Sequence, residues 1–341
     1  MKARDGRLEL LRIICMFLVV LAHFSIYGNW HGVNEFTPFE TVKALMFDGL
    51  GAAAAICFFI ISGYFSVKER SLEKRIKKST SKIFSVWGQT FFYSVTIGIL
   101  LFIVRQSDFI SLVKAFLPFT LNEYWFVTCY LLLTIFSPYL DMLGDNLSNK
   151  DLKRLLTILF VLQIPALLKN IIINQFLLAV IGYYSGKYIF LNKKKFTTLN
   201  NKLLWFSFFT LYLIGLFSIF ILRSIGMAFN QSGHFLGYVL AFCLSITMFL
   251  IAINARPISS KIVNYVSKSV FALYLITEQP TFRYILWEKL LNVGKYQNSV
   301  IFPLQGIFVV FGICIVCFLI DFVRRGLLSF FKNRMAKINK I

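Results

Sequence analysis

Apolar runs of about 18–22 residues recur along the whole chain, and they constrain its fold more than any other feature. Hydrophobic residues make up 58% of the 341 residues and charged residues only 15%. Soluble globular domains do not have this composition. A helix of about 20 apolar residues crosses a hydrocarbon core of roughly 30 Å. The runs lack the period-2 alternation of a membrane β-barrel. The sequence therefore predicts an all-α integral membrane protein.

Ten such runs are present, and we predict that each forms a transmembrane helix. The fifth run is short and contains Pro165, which predicts either a kink or a close join to the sixth run. No polar stretch is long enough for a separate soluble domain, so residues 1–341 are predicted to form a single transmembrane domain. The predicted spans are about 9–27, 46–67, 83–104, 124–143, 155–168, 171–190, 203–222, 235–253, 262–279 and 300–322.

Lysine and arginine residues are distributed unevenly between the two ends of these spans. With a cytoplasmic N-terminus, 26 of the 36 Lys and Arg residues fall on the inner side, including Lys187 in the predicted loop 187–202, and 8 on the outer side. This bias predicts that both termini are cytoplasmic. The net charge of +21 thus indicates membrane orientation. It does not indicate a nucleic-acid partner, which would need basic residues on one surface with aromatic residues available for stacking.

The densest basic segment is a predicted cytoplasmic loop, residues 68–82. Its helical spacing predicts a partly amphipathic segment along the inner membrane surface. Two interpretations stay open and are compatible. The segment contacts anionic membrane lipid, or it docks a polyanionic cytosolic cofactor through Lys and Arg. The basic residues are Lys68, Arg70, Lys74, Arg75, Lys77, Lys78 and Lys82.

Two ionisable residues, Arg12 and His23, lie within the otherwise apolar first span. Their separation of eleven positions puts them within roughly 20° of one another on a helix, with a rise of about 16 Å. Ionisable groups at membrane depth are costly unless they face protein or a wet cavity, so they indicate function. The imidazole of His23 can accept a proton from a hydroxyl and return it near neutral pH. Glu9 lies three residues before Arg12 and predicts a local ion pair.

Five short motifs follow one another over nearly the whole chain. They are Arg4-Asp5-Gly6-Arg7 with Arg12 and His23, then Phe58–Phe65, Glu73–Lys78, Tyr124–Phe126 with Ser137-Pro138, and Ser269–Ile276. In this order they resemble the membrane-bound acyltransferase family 3, which transfers acyl groups, mostly acetyl, to sugars of cell-surface polysaccharides. The chain resembles the membrane-only form, without an appended soluble hydrolase-like domain.

The resemblance implies roles for individual residues. His23 and Arg12 are the expected catalytic pair, and Arg75, Lys78 and Arg70 are expected to bind the donor's phosphates. Among the substrate-binding candidates, Ser62 and Glu278 are expected to supply polar contacts. Trp125 would either stack on a sugar face or belong to the aromatic belt at the membrane surface. Lys78 stands where the family usually has a second arginine, which keeps the charge but loses the bidentate fork. Thr277 and Glu278 stand where many members have a histidine, so no late-histidine role is expected.

The implied reaction is O-acyl transfer from cytosolic acyl-CoA, acetyl-CoA first of all, without a metal. The acceptor would be a hydroxyl of a cell-surface polysaccharide or its lipid-linked precursor, at the plasma membrane. Abundant Phe, Ile, Lys and Asn suggest a bacterial source. His23 would act as a general base or carry the acyl group itself, and the sequence does not separate these mechanisms. A multi-span transporter or flippase of a lipid-linked sugar is the alternative, although no internal repeat is present.

Overall fold

The protein is built from helices of very different lengths. The structure, a computed structural model, describes residues 5–66, 71–119, 123–166, 172–234 and 237–338. No strand occurs within these ranges, as the all-α prediction requires. The α-helices are α1 (Gly6–Ile26), α2 (Pro38–Leu45), α3 (Asp48–Tyr64), α4 (Leu72–Ile103), α5 (Phe109–Phe116), α6 (Trp125–Asp145), α7 (Asn149–Ala166), α8 (Ile172–Leu191), α9 (Lys193–Phe196), α10 (Asn201–Ser224), α11 (Phe229–His234), α12 (Gly237–Asn254), α13 (Lys261–Val266), α14 (Val270–Thr277), α15 (Pro280–Tyr284) and α16 (Phe302–Ile338).

Six helical segments of the described chain are long and apolar enough to cross a membrane. They are Gly6–Ile26, Pro38–Tyr64, Leu72–Ile103, Trp125–Asp145, Asn201–Ser224 and Phe302–Phe330. Large apolar side chains point outward along them, for example Phe206 and Phe308, which are 68% and 72% exposed. Such an exterior suits lipid and not water. The count of ten spans and the cytoplasmic termini stay predictions.

The helix α3 lies at the centre of the core and packs against α1, α8 and α12. The helices α3 and α8 approach closely because Gly63 of α3 and Gly186 of α8 each face the backbone of the other helix. A Cβ atom at Gly63 would lie 1.8 Å from the carbonyl oxygen of Tyr183, and one at Gly186 would lie 2.0 Å from that of Ile60. Small residues let membrane helices approach closely in this way. The close packing fixes α3 between the helices that carry the site.

The start of α1 is fixed by its own motif. Asp5 is the N-cap residue, and its side chain accepts a hydrogen bond from the backbone N–H of Arg7. The Arg7 guanidinium donates to the carbonyl oxygens of Ile253 and Ala255, at 2.8 and 3.2 Å. The hydrogen bond from the Arg7 side chain also lowers the pKa of Asp5. The opening motif thus ties α1 to the end of α12.

The basic segment 68–82, predicted to have helical spacing, is helical from Leu72 onward. Ser71 caps a helix that runs unbroken to Ile103, so this segment and the third predicted span form one helix, and Lys and Arg are good helix formers. One predicted span is wrong. The predicted ninth span, 262–279, is not one continuous α-helix. A 3₁₀ turn at Ser267–Ser269 interrupts it, and α14 ends at Thr277.

Candidate active site

Two cavities lie along the helices α1, α3 and α6. Each of these helices contributes side chains to both cavities. One segment of the helix lines one cavity, and a different segment lines the other. On α1, Arg12 lines one cavity and His23 the other. We call them the Arg12 cavity and the His23 cavity. Because Arg12 and His23 are about 16 Å apart along the helix axis, the two cavities occupy different depths.

The His23 cavity has a volume of about 200 Å³ and mostly apolar walls. Small residues of α3, including Gly51, Ala52 and Ala55, leave space beside α1. Trp125 lies in its wall. The other aromatic residues that line it are Tyr27, Phe58, Phe59, Phe126, Tyr238 and Tyr274. An apolar chamber with few polar groups is typical of a small-molecule site.

The imidazole of His23 contacts a buried carboxylate. Its Nδ1 atom lies 3.1 Å from Oε1 of Glu278, and the Glu278 side chain is only 2% exposed. A carboxylate at Nδ1 favours the tautomer with its proton on that nitrogen. The other ring nitrogen, Nε2, is then an acceptor. This is the arrangement of a general base with an orienting carboxylate.

The carboxylate of Glu278 is held from its other side by Tyr27 and Arg283. The Tyr27 hydroxyl and the Arg283 guanidinium each donate to Oε2 of Glu278, both at 3.3 Å. The guanidinium of Arg283 also lies over the Tyr27 ring, 4.6 Å from its centroid. Buried charges are tolerated when they are paired in this way. Glu278 therefore lies behind His23 as its partner, a role that its sequence position did not predict.

The Arg12 cavity is lined by several charged side chains and contains more cations than anions. Its volume is about 190 Å³. Four cationic side chains and one carboxylate line it, together with hydroxyl groups that include Ser62. A phosphate-bearing ligand suits such a surface because Arg and Lys donate charge-assisted hydrogen bonds. The charged residues are Arg12, Arg75, Lys78, Lys82 and Asp141.

The cations of α4 share one helical face. Arg75, Lys78 and Lys82 follow the i, i+3 and i+7 spacing that brings side chains to one side, and all three line the cavity. Arg75 is buried and pairs with Asp145, whereas Lys78 is exposed. Arg70, the third expected donor-binding residue, lies outside the described residues.

A partly buried ionic network adjoins this cavity. Lys187 is fully buried, and its Nζ lies 2.7 Å from Oδ1 of Asp145 and 3.3 Å from Oδ1 of Asp141. Asp145 also forms an ion pair with Arg75, and Asp141 accepts a hydrogen bond from the Tyr183 hydroxyl at 2.9 Å. The network therefore joins α4, α6 and α8. Lys187 lies within α8, as the predicted span 171–190 requires, and not in the loop 187–202 with which its charge was counted.

Pro138 interrupts the hydrogen bonding of α6 beside the same cavity. Proline has no N–H, so the carbonyl of Thr134, four residues earlier, loses its helical donor. The hydroxyls of Ser79 and Ser137 both donate to that carbonyl oxygen. Ser79 belongs to α4, so the replacement hydrogen bond draws α4 onto α6. Hydroxyl groups of neighbouring helices commonly satisfy such backbone groups in membranes.

The structure thus sorts the residues singled out in the sequence into two groups. Arg12, Ser62, Arg75 and Lys78 meet at the Arg12 cavity, while Trp125 lines the His23 cavity. Arg12 lies 2.9 Å from Glu9, as its spacing predicts. Sequence reasoning missed Asp141, Asp145, Lys187 and Arg283. The i, i+4 spacing of the two aspartates within an apolar span was the available signal.

Together the two cavities suit a long substrate with a polyanionic end and a reactive end. The cations would bind the polyanionic end, and His23 would contact the reactive end. The reacting bond would then lie in a chamber with apolar walls. Low polarity strengthens the effect of a correctly placed base and of its carboxylate partner.

Comparison with known proteins identifies the family. The family model described as an acyltransferase domain, that of the acyltransferase 3 family, matches residues 5–322. No curated protein and no solved structure matches the chain. The matched region includes every residue that lines the two cavities. The chain therefore belongs to the acyltransferase 3 family of membrane acyltransferases.

Proposed function

We propose that this protein transfers an acyl group, acetyl first of all, from cytosolic acyl-CoA to a hydroxyl of a cell-surface polysaccharide or its lipid-linked precursor. One observation carries the proposal. Arg12 of a cation-lined cavity and His23 of a buried His–Glu pair lie on the same helix, about 16 Å apart along its axis. The pantetheine arm of coenzyme A has a comparable reach. We place the protein in a bacterial plasma membrane, with the Arg12 cavity toward the cytoplasm.

Donor binding follows from the charges of the Arg12 cavity. Arg12, Arg75 and Lys78 would hold the nucleotide phosphates through charge-assisted hydrogen bonds. Arg70 would add a further cation if it faces the same ligand. Arg12 lies among these cations, so we assign it to phosphate binding and not to the reacting atoms. Ser62, on the cavity wall, would contact the pantetheine arm.

The chemistry takes place at His23. Nε2 of His23 removes the proton from the acceptor hydroxyl, and the oxygen attacks the thioester carbonyl. The tetrahedral intermediate then collapses. Its C–S bond breaks, and the new C–O bond to the acceptor oxygen is kept. The coenzyme A thiolate leaves and receives the proton from His23. Glu278 stabilises the imidazolium that exists between the two proton transfers. Trp125 would stack on the sugar face.

The proposal is tested by coenzyme A release from acetyl-CoA with purified protein in lipid nanodiscs. We expect slow hydrolysis by the wild type, faster release when a membrane fraction rich in glycan is added, and a loss of at least about a hundredfold for His23→Ala. His31→Ala is the matched control because His31 is an exposed histidine. Wild-type protein that neither binds nor cleaves acetyl-CoA would contradict the proposal, and assays of lipid-linked sugar transport would follow.

A further inference from the structure

Three polar side chains line the His23 cavity from the starts of three different helices. Asp48 is the first residue of α3, Gln175 lies in the first turn of α8, and Tyr238 is the second residue of α12. All three side chains are partly buried. They add a carboxylate, an amide and a hydroxyl to walls that are otherwise mostly apolar.

The carboxylate lies at the end of the His23 cavity that is remote from Arg12. A Cβ atom on Gly51 would lie 2.2 Å from the Cβ atom of Ala22, so this part of α3 is level with His23. The Arg12 cavity is lined by the other end of α3. Asp48, three residues before Gly51, therefore lies about 4.5 Å further from the Arg12 cavity than that level. The donor would approach from the Arg12 side, which leaves this end for the acceptor.

The groups at this end suit a sugar. A carboxylate accepts hydrogen bonds from two neighbouring hydroxyls, and an amide both donates and accepts. Asp48 and Gln175 supply these two groups, and the ring of Trp125 belongs to the same wall. A few placed polar groups in a mostly apolar site fix the orientation of a ligand. Asp48 and Gln175 would thus turn one sugar hydroxyl toward Nε2 of His23.

The charges of this wall distinguish neutral sugars from acidic ones. No Lys or Arg occurs among the described residues that line the His23 cavity, whereas four cations line the Arg12 cavity. The nearby Arg283 pairs with Glu278 behind His23. An acidic sugar would bring a carboxylate into a mostly apolar chamber and would meet Asp48 as a like charge. Both effects oppose its binding.

We propose that Asp48 and Gln175 bind the acceptor sugar and that the reacting sugar is uncharged, so that neutral hexosides are acylated and hexuronates are rejected. This inference rests on the proposed acyl transfer to a glycan. It names the class of sugar that the His23 cavity accepts and assigns the selection to Asp48. A glycan that contains both kinds of sugar would be acylated at its neutral residues.

The test measures O-acetyl ester formation from acetyl-CoA with matched pairs of methyl glycosides. The pairs are glucoside with glucuronide and galactoside with galacturonide, whose members differ in one carboxylate. We expect the wild type in nanodiscs to acetylate the neutral member at least about tenfold faster. Asp48→Asn should lower this neutral-to-acidic ratio severalfold. Glu35→Gln, a carboxyl-to-amide change at an exposed position, should leave the ratio unchanged.

A second variant tests the same wall from the opposite direction. Gln175→Arg adds a cation that can pair with a uronate, so it should also lower the neutral-to-acidic ratio. This variant keeps the test decisive if Asp48→Asn does not fold. An unchanged ratio in both variants would overturn the roles of Asp48 and Gln175.

Coenzyme A release without any glycoside separates this inference from the proposed function. Release by a wild type that uses neutral and acidic glycosides equally overturns the charge selection alone. Release without ester formation on any glycoside overturns the sugar site. No release from acetyl-CoA by the wild type overturns the acyl-CoA proposal itself.

Discussion

Nδ1 of His23 and Oε1 of Glu278 lie 3.1 Å apart, although the two residues are 255 positions apart in the chain. Both side chains are buried, and α14 brings the carboxylate to the face of α1 that lines the apolar cavity. The pair connects α1 to the C-terminal end of α14. It also explains why a carboxylate occurs at the end of the apolar helix α14, where an isolated charge would be costly.

The carboxylate of Glu278 should be required for the chemical step. Glu278→Gln keeps the size of the side chain but removes the charge that stabilises the imidazolium. We expect the rate of coenzyme A release at saturating acetyl-CoA to fall by about a hundredfold or more, with the donor KM nearly unchanged. Glu35→Gln, at an exposed position, should have no effect. A Glu278→Gln variant with the wild-type rate would show that Glu278 has only a structural role.

Lys78 should contribute to donor binding and not to chemistry. Lys78→Ala removes a cation from the wall of the Arg12 cavity. A hydrogen bond to a charged group contributes about 1.5–3 kcal/mol, so the KM for acetyl-CoA should rise about tenfold or more while kcat changes little. Steady-state kinetics measure both constants. Lys77, the exposed neighbour on α4, provides the control Lys77→Ala. Equal effects of the two substitutions would argue against a specific phosphate site.

Lys187 should stabilise the fold beside the Arg12 cavity. Lys187→Met leaves Asp141 without its lysine and Asp145 with Arg75 alone. Lys187 and Asp141 are both buried, and removal of one partner from a buried ion pair costs about 3–5 kcal/mol. We expect a lower midpoint of thermal unfolding, measured by intrinsic fluorescence of the detergent-solubilised protein. Lys153→Met, on the exposed side of α7, serves as the reference. An unchanged midpoint for Lys187→Met would mean that the network contributes no net stability.

The close approach of α3 and α8 should not tolerate a methyl group at Gly186. The added Cβ would lie 2.0 Å from the backbone oxygen of Ile60, so the helices must separate. Overpacking of this kind typically costs about 1–3 kcal/mol. Gly186→Ala should therefore lower the thermal midpoint. Gly88→Ala, where the new Cβ meets nothing within 4 Å, should be neutral or stabilising, since Ala is the better helix former. The reverse order of the two midpoints would contradict this packing.

Much of the architecture follows from local sequence patterns. Apolar runs predict the long helices because a bilayer demands about 20 apolar residues per span. The eleven-residue spacing of Arg12 and His23 predicts that both face inward, and each lines a cavity. The basic residues of α4 are correctly grouped with Arg12. The break at Ser267–Ser269 and the continuity of α4 from Leu72 to Ile103 were not predicted, because helix ends depend on caps and tertiary contacts more than on apolarity.

The partners of the site residues could not be predicted in the same way. Glu278 meets His23 only through the packing of α14 against α1, a contact across most of the chain. Lys187 follows an apolar run and so resembles a loop residue that sets orientation. Its burial depends on Asp141 and Asp145, which belong to a different helix. Periodicity within one helix carries no information on such pairs.

A structure with a non-hydrolysable acetyl-CoA analogue would test the central claim most directly. We predict the phosphates within hydrogen-bonding distance of Arg12, Arg75 and Lys78, the arm beside Phe58 and Phe126, and the acetyl carbonyl beside Nε2 of His23. Cryo-electron microscopy of the protein in nanodiscs would locate these groups. An analogue bound with its acyl end away from His23, or with its phosphates away from the Arg12 cavity, would contradict the account.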